Sequence, residues 1–236
     1  MDVHDLFQML SYGELSNLAI SSEGSGEIVA SARPKLVQYT NEALLRLYSR
    51  FVLKENDVLI QQYDHITFYH LLPRFSVNFD PSVPAEDETI RYILDLPTEK
   101  FQDEVIKVLA VYDHCGHSRP LNDDASIEGV FTPQAKLIQY PNPKGDRTFS
   151  AIYQARHPKI GSNLGENIEL PEFLWGALTS YIAYKVFSHM NTEGSSAKAQ
   201  EYMMMYEAVC TEAVDRDLIN AAVSRTSTNF QRGGWV

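Results

Sequence analysis

Apolar side chains recur at steps of three and four residues in an early part of the chain, about 32–53. Pro34 lies near the start of this stretch, and Arg46 and Arg50 lie one turn apart. The apolar positions are Leu36, Val37, Tyr39, Ala43, Leu44, Leu47, Tyr48 and Phe51. Such spacing places them on one face of a helix with 3.6 residues per turn. The pattern therefore predicts a long amphipathic helix.

A second periodic stretch, 170–220, predicts an antiparallel helical hairpin. Pro171 suits the first helical position, because the backbone N–H that proline lacks has no partner within the helix there. We expect Gly194 to end the first arm. Ser195 or Ser196 is then expected to cap the second arm by accepting hydrogen bonds from its free N–H groups.

Three consecutive methionines, Met203 to Met205, lie in the second arm of this hairpin. Methionine runs also occur on adaptable binding surfaces. In an amphipathic helix, however, such a run more often fills the core, and we expect that here. Acidic residues are expected on the solvent side of this arm; they are Glu201, Glu207, Glu212 and Asp215.

The middle of the chain, about 56–165, has a different pattern. Short runs rich in β-branched and aromatic residues are bounded by Pro, Gly, Asp and Asn; they lie at 58–60, 66–69, 90–94, 105–112, 137–140 and 149–153. These features predict strands of a small antiparallel sheet or barrel. The segment 114–117 is expected to form a hairpin turn in which Gly116 adopts a positive φ.

The order of these elements predicts an α+β protein. It would be a helical bundle, made of the long N-terminal helix and the C-terminal antiparallel helical hairpin, with an inserted antiparallel β domain and an extended C-terminal arm. The predicted boundaries are 1–54 for the N-terminal part of the helical domain, 55–166 for the β domain, 167–220 for the hairpin and 221–236 for the arm.

The predicted arm, 221–236, has no hydrophobic periodicity and carries two arginines but no acidic residue. Its aromatic residues are of the type that anchors protein interfaces. We interpret it as an arm that becomes ordered on a partner, with a disordered terminus as the alternative. The residues expected to bind the partner are Arg225, Phe230, Gln231, Arg232, Trp235 and Val236.

Composition restricts the class of protein. No apolar run reaches the roughly 18 to 20 residues that cross a bilayer, and the N-terminus lacks the basic start of a signal peptide. We therefore expect a soluble protein, made in the cytoplasm and without membrane contact. The two cysteines, Cys115 and Cys210, are too few for a disulfide framework and are expected to be reduced.

The formal net charge of −11 argues against a protein that grips nucleic acid by neutralising phosphates. It is compatible with a protein that encloses DNA, because an acidic bore repels the backbone and lets it slide.

Candidate chemical sites are few. Zinc needs about four ligands, and no second Cys/His pair follows the cluster at 113–117, which reads Asp-His-Cys-Gly-His. The acidic runs at 86–88 and 123–124 are typical of solvated loops, and the glycine-spaced segment 161–166 lacks the strand-to-helix context of a phosphate loop. We therefore expect no catalytic residue, no cofactor and no metal site, and thus no enzyme.

Several phrases resemble the head-to-tail adaptor proteins of short-tailed bacteriophages, the ring beneath the portal. They are Val-Ile-Lys-Val-Leu-Ala-Val-Tyr-Asp at 105–113, Arg-Pro-Leu-Asn at 119–122, Gly-Val-Phe-Thr-Pro-Gln at 129–134, Ile-Tyr-Gln-Ala-Arg-His-Pro at 152–158, Glu-Leu-Pro at 169–171 and Tyr-Ile-Ala-Tyr-Lys-Val-Phe-Ser at 181–188. The order of elements is similar too. The likeness covers most of the chain after about residue 30 and consists of packing and turn patterns.

The resemblance implies a structural virion protein of the tail or neck. It implies a ring of twelve copies whose helical domain and C-terminal arm dock on the portal protein. Its β domain would contact the tail nozzle protein and tail fibre or spike proteins, while genomic DNA passes through without sequence-specific binding.

Three alternatives stay open at this stage. One is another ring protein of the same neck or tail. The others are a small metal-dependent hydrolase that uses His114, Cys115 and His117, and a cytoplasmic regulator that binds a protein through the C-terminal arm.

Overall fold

The structure, a computed structural model, describes residues 1–18, 20, 27–79, 90–190 and 192–219. Within these ranges the helices are α1 (Val3–Tyr12), α2 (Arg33–Arg50), α3 (Trp175–Ser188) and α4 (Glu193–Asp215). The strands are β1 (Glu55–Gln61), β2 (Phe68–His70), β3 (Ile93–Leu94), β4 (Val105–Tyr112), β5 (Ser118–Arg119), β6 (Phe131–Gln134), β7 (Leu137–Gln139) and β8 (Thr148–Ala155). Short 3-10 turns lie at Pro73–Phe75 and Glu172–Leu174.

The strands form two antiparallel sheets. One has five strands in the order β3-β1-β8-β4-β5, and the other has three in the order β2-β7-β6. Strand β8 is central in the larger sheet, where Val58 of β1 pairs with Ala151 and Tyr112 of β4 pairs with Ser150. Side chains alternate between the two faces of a strand, so Phe149, Ala151 and Tyr153 point into the core.

The prediction of a helical bundle carrying an inserted β domain is wrong. The fold is α+β, but in the described residues eight strands in two antiparallel sheets accompany four helices, and the sheets dominate the architecture. Long amphipathic helices give a strong periodic signal, whereas a strand of two to four residues gives almost none. The sequence pattern therefore overstated the helices and also failed to separate the strands into two sheets.

Buried side chains fall into two clusters. The first joins all four helices and includes Leu6, Leu47, Leu178 and Tyr206, which are fully buried. The second lies within the sheets, where Tyr69 packs edge-on against Phe149 at a ring-centroid distance of 5.2 Å. The domain boundaries given above stay predictions.

Helix α2 follows the expected stretch closely, whereas the helical hairpin departs from prediction at its turn. Helix α4 starts at Glu193 with Thr192 as its N-cap, and the Ser195 hydroxyl accepts a hydrogen bond from the Thr192 N–H at 3.0 Å. The expected stop at Gly194 is therefore wrong, because this glycine lies in the first turn of α4. None of the helices in the described ranges has the length and hydropathy needed to span a membrane.

Candidate functional site

The turn between β4 and β5, residues 113–117, is closed by one carboxylate. Asp113 Oδ1 accepts hydrogen bonds from the backbone N–H groups of Cys115 and His117, both at 2.9 Å. Gly116 has a φ of +81°, which confirms the predicted positive φ. A hydrogen-bonded turn therefore explains why Asp113 and Gly116 occur here, and no bound ligand is needed to explain them.

The same turn gathers potential metal ligands. One ligand atom from each of Asp113, Cys115 and His117 lies within 4.8 Å of the other two. Cys115 Sγ is 3.4 Å from His114 Nε2. Adjacent residues on a turn tend to point apart, so the sequence alone gave no reason to expect this proximity. A metal-dependent hydrolase at this turn would need the Asp113 carboxylate as a ligand of the metal ion.

The Asp113 carboxylate is already engaged by a cation. Arg119 Nη2 lies 3.4 Å from Asp113 Oδ2, and Arg119 also pairs with Glu128 at 2.8 Å. Burial opposes ionisation of Asp113, but the backbone N–H groups of His117 and Cys115 and the charge of Arg119 outweigh it, so the net pKa is lowered. A metal ion would have to compete with Arg119 for this oxygen. The expectation of no metal site stays a prediction.

The other candidate loops use their polar groups internally. The Gly161 N–H donates to the Glu166 carboxylate at 2.8 Å, and the Gly165 N–H donates to Asn163 Oδ1 at 3.0 Å. The backbone N–H groups that a phosphate-binding loop would donate to phosphate are therefore already hydrogen-bonded to side chains of the same loop. Asp123 Oδ1 accepts from the Ala125 N–H at 3.0 Å, as in an ordinary polar turn. The acidic run at 86–88 lies outside the described residues.

A buried polar joint connects α2 to β8. Gln154 is fully buried at the end of β8, and its Nε2 donates to the backbone carbonyl of Phe51 at 2.9 Å and also to that of Tyr48. These carbonyls lie at the C-terminal end of α2, where helical partners are missing. The joint therefore fixes the end of the long helix to the central strand of the larger sheet.

The joint continues to the segment that leads into α3. The Tyr48 hydroxyl donates to the backbone carbonyl of Glu169, whose N–H donates to His157 Nε2 at 3.0 Å. His157 Nδ1 is 2.6 Å from the Pro158 carbonyl, so the neutral tautomer with the proton on Nδ1 satisfies both contacts. Burial lowers the pKa of His157. Sequence reasoning missed this joint, and its only local signal was a glutamine among apolar strand residues.

Helix α4 presents a second candidate surface, which we call the α4 outer face. It consists of Gln200, Met203, Met204, Glu207, Ala208, Thr211, Glu212, Asp215 and Arg216. Met204 is 67% exposed and the neighbouring Met205 is 47% exposed, so core filling is the wrong prediction for both. Met203 does pack against the helical core. The apolar part of this face is not covered by any described residue of the same chain.

A groove of about 460 Å³ runs beside α2, and we call it the α2 groove. Its residues are Pro34, Val37, Gln38, Asn41, Glu42, Leu44, Leu45, Arg156, His157 and Lys159. Asn41 links α2 to the segment that follows β8. Its Oδ1 accepts a hydrogen bond from the Ile160 N–H, and its Nδ2 donates to the Ile160 carbonyl, both at 2.9 Å. The groove is therefore held in shape by the chain itself.

The six residues predicted to bind a partner lie at 225–236, outside the described residues. The structure therefore leaves their role as a prediction. The described part of the structure instead shows two surfaces, the α4 outer face and the α2 groove, that no sequence motif predicted.

Comparison with known proteins does not assign the chain to a family. No protein-family model matches it, and no curated protein matches it in sequence. The phrases that resemble phage adaptors lie mostly on strands and turns of the larger sheet and on α3.

Proposed function

We propose that this chain is a structural virion protein, a head-to-tail adaptor of a short-tailed bacteriophage. In this proposal about twelve copies form a closed ring that docks on the portal, extends the DNA channel and supports the tail nozzle with its fibres or spikes. Its place is the neck of the virion, after synthesis in the host cytoplasm.

The observation that carries the proposal is the presence of two unlike uncovered surfaces on one subunit. A closed ring needs two different patches, because each subunit meets its two neighbours through opposite sides of a head-to-tail interface. The α4 outer face and the α2 groove lie on different helices and differ in shape and charge. They support a ring-forming protein better than an enzyme.

Net charge supports the DNA channel in the proposal. A ring of subunits that each carry a formal charge of −11 has a strongly negative field. DNA passing through such a ring is repelled from the wall, so it does not stick. Proteins that hold DNA by its phosphates need clustered cations instead.

Among the alternatives, a second ring protein of the same neck or tail is favoured by the same surfaces. A hydrolase centred on 113–117 is less favoured because Arg119 already neutralises the Asp113 carboxylate. Zinc analysis of the purified protein separates these classes, since a stoichiometric ion at this turn would support the hydrolase.

Native mass spectrometry tests the proposal directly. The purified protein is measured alone and after mixing with portal rings encoded by the same genome. We expect a species in which about one copy of this chain joins each portal subunit. A fixed small oligomer whose mass does not change on mixing would contradict the adaptor function and favour the regulator.

A further inference from the structure

We propose that the α4 outer face of one copy docks into the α2 groove of the next copy, and that this contact closes the ring. The inference rests on the proposed function, because it names the two faces through which the ring would assemble. The partner is thus a second copy of this chain.

Both surfaces expose apolar side chains along a helix. The α4 outer face extends from Gln200 to Arg216, about 24 Å of helix, and the groove extends from Pro34 to Leu45, about 16 Å of helix. Leu45 is 47% exposed and Met204 is 67% exposed, so each surface offers uncovered apolar area. Burial of both would remove this area from water.

Small residues in the middle of α4 allow close approach. Ala208 and Thr211 are exposed on the α4 outer face and lie between Met204 and Asp215. A helix with small side chains at its centre fits against another helix at short range, and the larger side chains at its ends fill the remaining space. The groove beside α2 extends over about 16 Å of helix, which is enough for the central part of the α4 outer face.

The charges of the two surfaces are opposite. Arg156 and Lys159 line the groove, and in the described part of the chain neither side chain makes a salt bridge. Glu42, the acidic residue of the groove, is neutralised by Lys185 at 2.8 Å. On the α4 outer face, Asp215 likewise has no salt bridge within the described ranges. Within the described part of the chain, two groove cations without a salt bridge would therefore meet one carboxylate without a salt bridge.

The other two acids of the α4 outer face are paired with arginines of the same copy, so Asp215 is the carboxylate that this face offers to the groove. Glu207 pairs with Arg50 at 2.6 Å and Glu212 pairs with Arg216 at 2.9 Å within the same copy. The contact between Glu207 and Arg50 also fixes α4 against the side of α2 that carries Arg50. The groove, at Gln38 and Leu45, uses another side of α2, so one copy can offer both surfaces at once.

Disulfide trapping tests the contact. In a Cys115→Ser background, Leu45→Cys and Ala208→Cys are made as separate variants, mixed and oxidised. Cys210 is buried and burial raises the pKa of its thiol, so it stays unreactive. We expect cross-linked dimers in the mixture, none from either variant alone, and a ladder ending in a ring from the double variant. Ile127→Cys, at a 93% exposed loop position, replaces either partner as the control.

Charge exchange gives an independent test. Variant A carries Arg156→Glu and Lys159→Glu, and variant B carries Glu212→Lys and Asp215→Lys. Each variant alone places like charges on both sides of the contact, and we expect the affinity between copies to fall on the order of tenfold or more. An equal mixture restores opposite charges at every contact and should form alternating rings. A mixture that assembles no better than either variant alone would overturn the inference.

Both tests are run with and without portal rings, which separates the inference from the proposed function. If portal rings gather the copies but Leu45→Cys and Ala208→Cys never cross-link, the docking surfaces are wrong and the adaptor function stands. If the pair cross-links and the portal changes neither yield nor mass, the docking surfaces stand and the adaptor function is wrong.

Discussion

At the scale of single residues, His157 couples the fold to pH. Its ring is buried, its Nε2 accepts from the Glu169 N–H, and its Nδ1 proton is committed to the Pro158 carbonyl. Protonation of Nε2 would remove the acceptor and place a charge in a buried site. This is the physical reason why burial holds the pKa of His157 below its usual range.

The first prediction concerns the free energy of unfolding between pH 7.5 and 5. The unfolded histidine has a pKa of about 6.5, and the folded one lies lower, so the unfolded state binds more protons below about pH 6.5. Stability should be complete above that pH and should fall as the pH drops toward the folded pKa. His157→Gln should flatten this slope in urea titrations, whereas the exposed variant His65→Gln should retain it. Equal slopes for all three proteins would contradict the assignment.

The Asp95 side chain forms hydrogen bonds with the segments that precede and follow β3. Its Oδ2 accepts from the Ser76 hydroxyl at 2.6 Å and from the Phe101 N–H at 2.8 Å, while its Oδ1 accepts from the Asn78 side-chain amide at 3.0 Å. Burial opposes ionisation, but these hydrogen bonds outweigh it and lower the pKa of Asp95. A carboxylate is required because every partner is a donor.

The second prediction is that Asp95→Asn destabilises the protein by about 1–3 kcal/mol at pH 7, because an amide NH₂ would face hydrogen-bond donors. The lowered pKa implies a contribution that is present above about pH 4 and is lost as the pH falls through the folded pKa. The difference between wild type and variant should therefore shrink in acid. Asp146→Asn, at an exposed carboxylate, is the control in chemical denaturation; a penalty as large as that of Asp95→Asn would refute the role assigned to Asp95.

At the scale of elements, the joint at Gln154 holds α2 to β8. Its amide donates to the carbonyls of Tyr48 and Phe51, while its own Oε1 is buried without a hydrogen-bond partner in the described ranges. The Phe51 carbonyl also accepts from the Leu53 N–H at 3.0 Å, so it keeps a partner when Gln154 is replaced. The Tyr48 carbonyl depends more on the glutamine.

The third prediction is a loss of about 1–3 kcal/mol of unfolding free energy in Gln154→Leu. The orphaned Tyr48 carbonyl costs about 1–3 kcal/mol, and removal of the unsatisfied Oε1 offsets part of that cost. Gln139→Leu in β7 is the matched control. Thermal unfolding followed by circular dichroism measures both, and equal melting temperatures for the two variants would show that the joint does not fix the helix.

Local periodicity was enough to predict part of the elements. Helix α2 and strand β4 were predicted within a few residues, because α2 is long with a single buried face and β4 is a continuous run rich in β-branched residues. The turn at Gly116 was predicted because its φ is a property of one residue. The order of strands could not be predicted, since β1 and β8 pair across 87 to 99 residues of sequence through contacts that leave no local signal.

The candidate surfaces were harder still to predict. The exposure of Met204 depends on how α4 packs against α3, and a methionine has the same apolar side chain on either side of a helix. The α2 groove joins Leu45 to Arg156, which are distant in sequence. Asn41, which fixes this groove through Ile160, reads in sequence as one polar residue on a helix. Such sites are set by tertiary contacts.

At the scale of the whole molecule, the C-terminal segment 221–236 lacks the hydrophobic periodicity that core elements show. Among the described residues, the buried members of the helical and sheet clusters extend no further than Ala213. The fourth prediction is therefore that deletion of 224–236 leaves the melting temperature within a few degrees of wild type but abolishes binding to portal rings. Sedimentation with portal rings measures binding. A truncated protein that fails to fold would contradict the interpretation of this segment as an arm.

A substitution at Trp235 distinguishes two interpretations of the C-terminal segment, an arm that anchors the protein to the portal and a tail that makes no contact. Large aromatic residues carry much of the binding energy of an interface when they fill a pocket, and their truncation costs about 2–4 kcal/mol. The fifth prediction is that Trp235→Ala weakens portal binding by roughly 30- to 1,000-fold, which surface-immobilised portal rings would register mainly as faster dissociation. Asn229→Ala, a polar change in the same segment, is the control. If both variants bind like wild type, the portal contact belongs to the helices, and the arginines and aromatics at the end of the chain serve another purpose.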